Sequence, residues 1–82
     1  MARKKLSKVE QDLLKSLGAR IRELRQQKND SYENFAFEHD LPRAQFGRYE
    51  LGTNVTILSL CRVLKALDIS LKEFFATGFE EE

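Results

Sequence analysis

The residue types that most often perform catalysis or bind metals are scarce in this 82-residue chain, which contains one histidine, His39, and one cysteine, Cys61. Nucleophilic catalysis needs a nucleophile, a base and a group that orients the base. His39 falls at a predicted helix end, and Cys61 falls on the apolar side of another helix, where a structural cysteine is the commoner case. One cysteine and one histidine also fall short of the four ligands of a usual zinc site. We therefore predict no enzyme activity, no metal and no cofactor.

The lysines and arginines are the other residues that could bind a partner, and they are unevenly distributed. Residues 1–28 contain nine of them and three acidic residues, whereas residues 29–82 contain five and ten. The net charge of +1 therefore divides into +6 and −5. This division predicts a basic face with an acidic end, or, as the simpler alternative, a solvated helix followed by an acidic tail. No apolar run approaches the roughly 18 residues of a membrane span, so we expect a cytoplasmic protein with no membrane partner.

The elements that must position these charges are predicted to be helices, because apolar residues recur at spacings of three and four. Ser7 and Glu10 form a capping box that predicts the start of a first helix, which continues to about Lys28. Its expected apolar stripe consists of Leu13, Leu17, Ile21 and Leu24. Gly18 within this helix predicts either a close contact with a neighbouring element or the true start of the domain helix.

Two short helices are predicted next, separated by a sharp turn. Ser31 is a suitable N-cap for a second helix that extends to His39. Asp40 suits the left-handed conformation of a tight turn. Pro42 suits the first turn of a third helix, where its missing N–H leaves no bond unmade. That helix is predicted over residues 43–50 and is expected to stop at Gly52.

The C-terminal part predicts two more helices. Thr56 is the expected cap of a fourth helix, and Ser70 with Glu73 forms a capping box for a short fifth helix. The apolar residues expected on the inner side of the fourth helix are Ile57, Leu58, Leu60, Cys61, Val63, Leu64 and Leu67. From Phe79 onward we expect a loose acidic tail. The chain then divides into a basic N-terminal arm with an extension of the first helix (1–16), one domain (17–76) and the tail (77–82).

The second and third helices form the constellation that bears on function. Ala36 allows two helices to approach closely, Asp40 turns the chain four residues later, and Phe46 enters the core ten residues after Ala36. This order predicts a helix-turn-helix, whose second helix enters the DNA major groove in proteins that use it. The residues left on its outer side are Arg43, Ala44, Gln45, Gly47 and Arg48.

The stretch from Leu17 to Phe75 resembles the phage-repressor or Cro-type helix-turn-helix family, also called the XRE family. The segments that resemble the family are "LGARIRELRQQKNDSYENFA", "HDLPRAQFGRYELGT" and "LSLCRVLKALDISLKEFF". The resemblance implies an all-α fold, a compact five-helix lambda-repressor-like domain. The sequence departs from the family at three positions. Tyr32 replaces a common glutamine, Asp40 replaces a common glycine, and Pro42 replaces a common Ser or Thr.

The resemblance also implies roles for individual residues. Arg25 and Glu50 match a structural ion pair that braces the third helix. The base-contacting positions match Arg43, Ala44, Gln45, Gly47 and Arg48. Arginine favours guanine O6 and N7, although either arginine could instead contact phosphate. Glycine weakens the interior of a helix, so Gly47 implies one of two reasons. Either the helix approaches the DNA groove closely at this position, or glycine is simply tolerated beside Phe46.

Phosphate contacts are expected on both sides of the third helix. The expected residues are Arg22, Lys28, Ser31, Tyr32, Thr53, Asn54 and Thr56. Arg20 and the arm residues Arg3, Lys4, Lys5 and Lys8 are expected to supply further positive charge. Residues 52–56 contain no Lys or Arg, so contacts there depend on backbone N–H groups and hydroxyls.

The expected function is that of a sequence-specific transcriptional regulator that binds double-stranded DNA as a two-fold homodimer, with no small-molecule ligand evident. Dimerisation is expected because one unit contacts only a few base pairs. The alternative is a protein-interaction module or antitoxin-like adaptor on the same fold, which would use its acidic C-terminal half or Phe74, Phe75 and Phe79. Retention on duplex DNA at low salt distinguishes a DNA reader from a pure adaptor.

Overall fold

Five helices make up the secondary structure of the part of the chain that the computed structural model describes, residues 5–28 and 30–79. They are α1 (Lys8–Gln27), α2 (Tyr32–Glu38), α3 (Arg43–Glu50), α4 (Ile57–Leu67) and α5 (Leu71–Phe75). No strand occurs among these residues, which confirms the predicted all-α, five-helix architecture. Within the same residues, no helix combines the length and the apolar character that crossing a bilayer requires.

Side-chain caps begin four of the helices, as the sequence predicts. Ser7 and Ser70 form complete capping boxes with Glu10 and Glu73. Ser31 and Thr56 accept the backbone N–H three residues later. Pro42 is the N-cap of α3, directly before the helix predicted over residues 43–50, and it makes no side-chain capping bond. Its backbone is extended, with ψ at 115°, which is the usual conformation of an N-cap residue.

The turns also follow the local sequence signals. Asp40 adopts a left-handed conformation with φ at 57°, which turns the chain between α2 and α3. Gly52 has φ at 97° directly after the C-cap of α3, a conformation that favours glycine. Asp68 ends α4 in the left-handed conformation as well. These turns allow the connections between successive helices to be short, and short connections keep neighbouring helices in contact.

The core lies where α1, α2 and α3 meet the inner face of α4 and the single buried ring of α5. Its fully buried large side chains are Phe35, Phe46, Phe74, Ile21, Leu60 and Val63. The α3 helix packs against both α1 and α2, and α4 packs against α5. These contacts hold α3 from behind and leave its other side free.

The structure corrects three expectations about the apolar faces. On α1 the buried residue of the second turn is Leu14, whereas Leu13 is half exposed, because the inward stripe continues back from Leu17 by three residues rather than four. On α4 burial begins at Leu60, and both Ile57 and Leu58 are exposed. Ile57 precedes the core by one turn, and Leu58 lies two residues, or about 200°, from Leu60 around the helix.

Phe79 is the third correction. It was expected in the loose acidic tail, but its ring lies 5.7 Å from that of Phe74 and 4.8 Å from that of Phe75. It is partly buried against the core. The acidic residues 80–82 lie outside the described residues.

Candidate nucleic-acid interface

The inner side of α3 is fixed by aromatic packing. Phe46 is fully buried, and its ring stacks on Phe35 of α2 with centroids 5.3 Å apart. Tyr49, one turn further along, is also buried. Ala36 is completely buried, and its carbonyl accepts the Leu41 N–H at 2.8 Å across the turn. These contacts determine which side of α3 faces solvent.

An ion pair between α1 and α3 provides a second brace. Arg25 Nε donates to Glu50 Oε2 at 2.6 Å, and Arg25 Nη2 donates to Glu50 Oε1 at 2.8 Å. Both side chains are buried, with exposed fractions of 9% and 8%. Arg25 Nη1 also donates to the Asp30 carbonyl at 2.6 Å, which ties in the segment before α2. The hydrogen bonds and charge of Glu50 raise the pKa of Arg25 above its ordinary value, against the opposing effect of burial.

Gly18 brings α1 and α3 together at backbone distance. A Cβ atom at this position would overlap the carbonyl oxygen of Tyr49 and lie 2.8 Å from that of Glu50. The obstacle is backbone, which cannot move without displacing the end of α3. Gly18 therefore marks a close contact, and it is not the start of the domain helix, because α1 begins ten residues earlier at Lys8.

The outer side of α3 carries the residues that sequence reasoning assigned to base contacts. Arg43, Ala44, Gln45 and Arg48 are exposed, and Gly47 is half-buried. Arg43 Nη1 lies 3.7 Å from Glu33 Oε2, but both side chains are more than half exposed, so this pair is weak and exchangeable. Arg48 forms no ion pair with any residue in 5–28 or 30–79. Both arginine side chains are therefore accessible from solvent.

The predicted phosphate-contacting residues lie toward the end of α1, at the start of α2 and between α3 and α4. Arg22 and Lys28 are exposed on the C-terminal half of α1, and Lys28 is its C-cap. Ser31 caps α2 by accepting the Asn34 N–H at 3.1 Å, which leaves its own hydroxyl proton free to be donated. Tyr32 is the first residue of α2 and is 38% exposed.

The residues on the other side of α3 are partly engaged within the protein. The Thr53 hydroxyl donates to the Arg48 carbonyl, where it helps to end α3. The Thr56 hydroxyl donates to Ser59 Oγ at 3.0 Å while it caps α4. Asn54 is exposed, with no hydrogen bond from its side chain to any described residue. Thr53 would have to give up an existing bond before it could donate to a phosphate.

Two features of the interface were missed at the sequence level. Gly47 lies under the ring of Tyr32, since a Cβ atom there would be 3.1 Å from Tyr32 Cε2. The two reasons expected for Gly47, closeness to the DNA groove or tolerance beside Phe46, do not include this contact. Arg20 was expected among the DNA-facing cations, but it turns inward, where Nε donates to the Phe74 carbonyl at 3.2 Å and Nη1 to Glu23 at 2.8 Å. No local pattern signals the contact of Tyr32 with Gly47 or that of Arg20 with Phe74, because α2 and α5 supply these partners. The pair of Arg20 with Glu23, by contrast, lies within α1 at a spacing of three residues.

The remaining chemistry-bearing residues do not form a second site. His39 is exposed with its ring 4.5 Å from Phe35, and Cys61 is half-buried. Among the described residues, no group of three or more His, Cys, Asp or Glu side chains could hold a metal ion. Lys8 pairs with Asp12 at 3.5 Å, while Arg3 and Lys4 of the arm lie outside the described residues.

Taken with the fold, this geometry defines a helix-turn-helix protein: α2 and α3 are joined by the Asp40 turn, and α3 is braced so that one side is presented outward. A comparison with solved structures identifies the family. The chain is similar to the crystal structure of the restriction-modification controller protein C.AhdI from Aeromonas hydrophila, with a TM-score of 0.71 and 38% sequence identity over 78% of this chain and 98% of that chain. The chain therefore belongs to the Cro/C1-type helix-turn-helix family. No family model and no curated protein matches it.

Proposed function

We propose that the protein is a sequence-specific DNA-binding transcriptional regulator whose α3 enters the major groove. The observation that carries this proposal is the division of α3 into two sides: Phe46 and Glu50 are held by the protein, whereas Arg43, Ala44 and Arg48 face outward. An α-helix fits the major groove, where base edges present distinct patterns of donors and acceptors. The similarity to a restriction-modification controller supports a regulatory role.

Base recognition would rest on the exposed side chains of α3. Arg43 and Arg48 can each donate two hydrogen bonds to guanine O6 and N7, and Ala44 suits the methyl group of thymine. Gln45 is a further proposed base contact, whereas Gly47 has no side chain and lies beneath the ring of Tyr32. The Glu33 carboxylate near Arg43 does not prevent this, because an exposed ion pair contributes only about 0–1 kcal/mol.

Phosphate contacts would hold α3 in register from both sides. Arg22 and Lys28 supply charge from α1, and Ser31 and Tyr32 supply hydroxyl groups from the start of α2. On the other side Thr53, Asn54 and Thr56 lead into the N-terminus of the eleven-residue α4, whose free N–H groups favour an anion. The lack of Lys and Arg in residues 52–56 makes this second side the weaker one.

A two-fold homodimer would place two copies of α3 about one helical turn of DNA apart, roughly 34 Å. Two surfaces could serve as the interface. Leu71 and Phe75 of α5 are 44% and 40% exposed, and the N-terminal extension of α1 exposes Leu6, Val9 and Leu13. Sedimentation of the chain alone and on its DNA site tests the stoichiometry, and a monomer under both conditions would contradict the dimer.

Selection of binding sites from randomised duplex DNA tests the proposed function directly. We expect the full chain to enrich a palindromic motif and to bind it with an affinity that falls steeply as salt increases. The matched control is Arg48→Ala, which should lose preference at one base position in each half-site while remaining folded. Failure to retain any duplex at low salt would contradict DNA reading and support the protein-interaction module or antitoxin-like adaptor.

A further inference from the structure

An aromatic ring covers the middle of α3 on the side that faces α1 and the start of α2. A Cβ atom at Gly47 would lie 3.1 Å from Tyr32 Cε2, 3.6 Å from Cδ2 and 3.8 Å from Cζ. The first distance is shorter than an ordinary van der Waals contact between carbon atoms. The ring therefore occupies the space that a side chain at position 47 would use. Glycine at position 47 allows the ring to approach the helix this closely.

This contact differs in kind from that at the other helical glycine. At Gly18 the obstacle to a side chain is the backbone of α3, which belongs to the core arrangement. At Gly47 the obstacle is a ring that is 38% exposed and lies outside the buried cluster. A ring at the surface can move outward by a few tenths of an ångström without disturbing the core. A Cβ at position 47 should therefore displace Tyr32 and leave the fold intact.

The surroundings of the ring favour an anion. A cleft of about 370 Å³ lies between α1 and α3, and its lining includes Tyr32, Gly47, Arg22 and Arg48. Arg25 also lines the cleft, but Glu50 neutralises it. Neither Arg22 nor Arg48 forms an ion pair within the described parts of the chain, so the cleft has an excess of positive charge. The Tyr32 hydroxyl has no hydrogen-bond partner among the same residues, which leaves its proton available to an acceptor.

We propose that Gly47 is a positioning residue: its missing side chain seats the ring of Tyr32 against α3, and the seated ring presents the Tyr32 hydroxyl to a phosphate oxygen of DNA at the edge of the major groove. This inference rests on the proposed function and assigns a specific task to two residues that depart from common helix and family patterns. Gly47 acts on DNA through Tyr32 rather than by touching a base. The ligand is a phosphodiester, so the contact carries affinity and not sequence preference.

The test is a double-mutant cycle on DNA affinity with Gly47→Ala, Tyr32→Phe and the double variant, each measured on the selected site and on unrelated duplex. Each single variant should bind both duplexes about tenfold more weakly, as expected for loss of a hydrogen bond to a charged group. The double variant should be no weaker than Tyr32→Phe alone, because displacement of the ring has no effect once the hydroxyl is absent. Thermal melting should remain close to that of the unaltered chain in every variant.

A matched control removes another exposed ring from the same helix. Phe37 is 84% exposed on α2, and Phe37→Ala should leave both affinities unchanged. Additive losses in the double variant would mean that Gly47 contacts DNA independently, which overturns the inference while DNA reading stands. Unchanged affinity in Tyr32→Phe would also overturn it. Absence of binding by the unaltered chain would overturn this inference and the proposed function together.

Discussion

Replacement of Glu50 by alanine removes the acceptor of a buried, bidentate ion pair. Arg25 would lose the bonds at 2.6 and 2.8 Å and keep only its bond to the Asp30 carbonyl. Its side chain is 9% exposed, so water has little access to the donors left unpaired. The guanidinium cannot escape by losing its proton, because arginine stays charged throughout the accessible pH range. The unpaired charge must therefore be accommodated in the folded state or the fold must open.

Breaking a buried pair by removing one partner destabilises a protein by about 3–5 kcal/mol. In a domain of this size each kcal/mol lowers Tm by about 4–8 °C, so Glu50→Ala should lower Tm by at least roughly 12 °C. Natural domains are stable by only about 5–15 kcal/mol, which makes this loss a large share of the total. Glu50→Gln retains one acceptor and should lose less. Arg25→Met with Glu50→Leu removes both charges and should recover most of the stability.

Thermal and urea unfolding followed by circular dichroism measures these differences. The matched control is Asp12→Ala, which breaks the exposed Lys8–Asp12 pair and should change stability by less than about 1 kcal/mol. A fall in Tm for Glu50→Ala no larger than that of the control would show that the Arg25–Glu50 pair does not stabilise the fold. A double variant less stable than Glu50→Ala would refute it as well, because the cost would then come from packing and not from an unpaired charge.

Four further predictions concern other parts of the molecule. Arg43→Ala should weaken binding to the selected site by about 1–3 kcal/mol in competition assays and relax preference at one base position; equal losses on all sequences would make Arg43 a phosphate contact. Lys28→Ala should reduce the slope of log affinity against log salt by about one, and an unchanged slope would exclude a phosphate contact. Gly18→Ala should lower Tm despite alanine's higher helix propensity, because its Cβ meets the backbone of α3; an unchanged or higher Tm would show that α1 can shift. The capping hydrogen bonds of Ser70 lower the pKa of Glu73 below its ordinary value of 4.5. The stability that these bonds give the folded state is therefore present above pH 4.5 and is lost as the pH falls through the lowered pKa. The Tm difference between Glu73→Ala and the unaltered chain should therefore be present at neutral pH and narrow in acid; a difference independent of pH would contradict this.

Much of the secondary structure could be predicted because its signals are local. The caps at Ser7, Ser31, Thr56 and Ser70 each bond to a backbone N–H three residues away, so both partners can be read from one short stretch. The turn at Asp40 likewise depends on the conformational freedom of a single residue. The five helices followed from these signals and from apolar spacing.

The depth of burial along each helix was less predictable. Periodicity gives the angular position of a side chain, but it does not say where along its length a helix meets its neighbours. Ile57 was therefore expected inside, although it precedes the buried part of α4 by one turn. Leu13 was expected inside because steps of three and of four residues both suit one helix face, and the structure uses the step of three to Leu14.

The candidate site also has some features that local sequence predicts and others that depend on tertiary packing. The helices, the turn between α2 and α3, and the exposed positions of Arg43, Ala44 and Arg48 could be predicted without a structure, since each depends on residues close together in the chain. Only the tertiary structure decided that Arg20 turns toward α5 and that Tyr32 lies over Gly47. Their partners lie 54 and 15 positions away in sequence, and such contacts form only when packing brings separate helices together. The direction of a long or aromatic side chain at a surface is set by the neighbour it meets there, and a linear pattern does not record that neighbour.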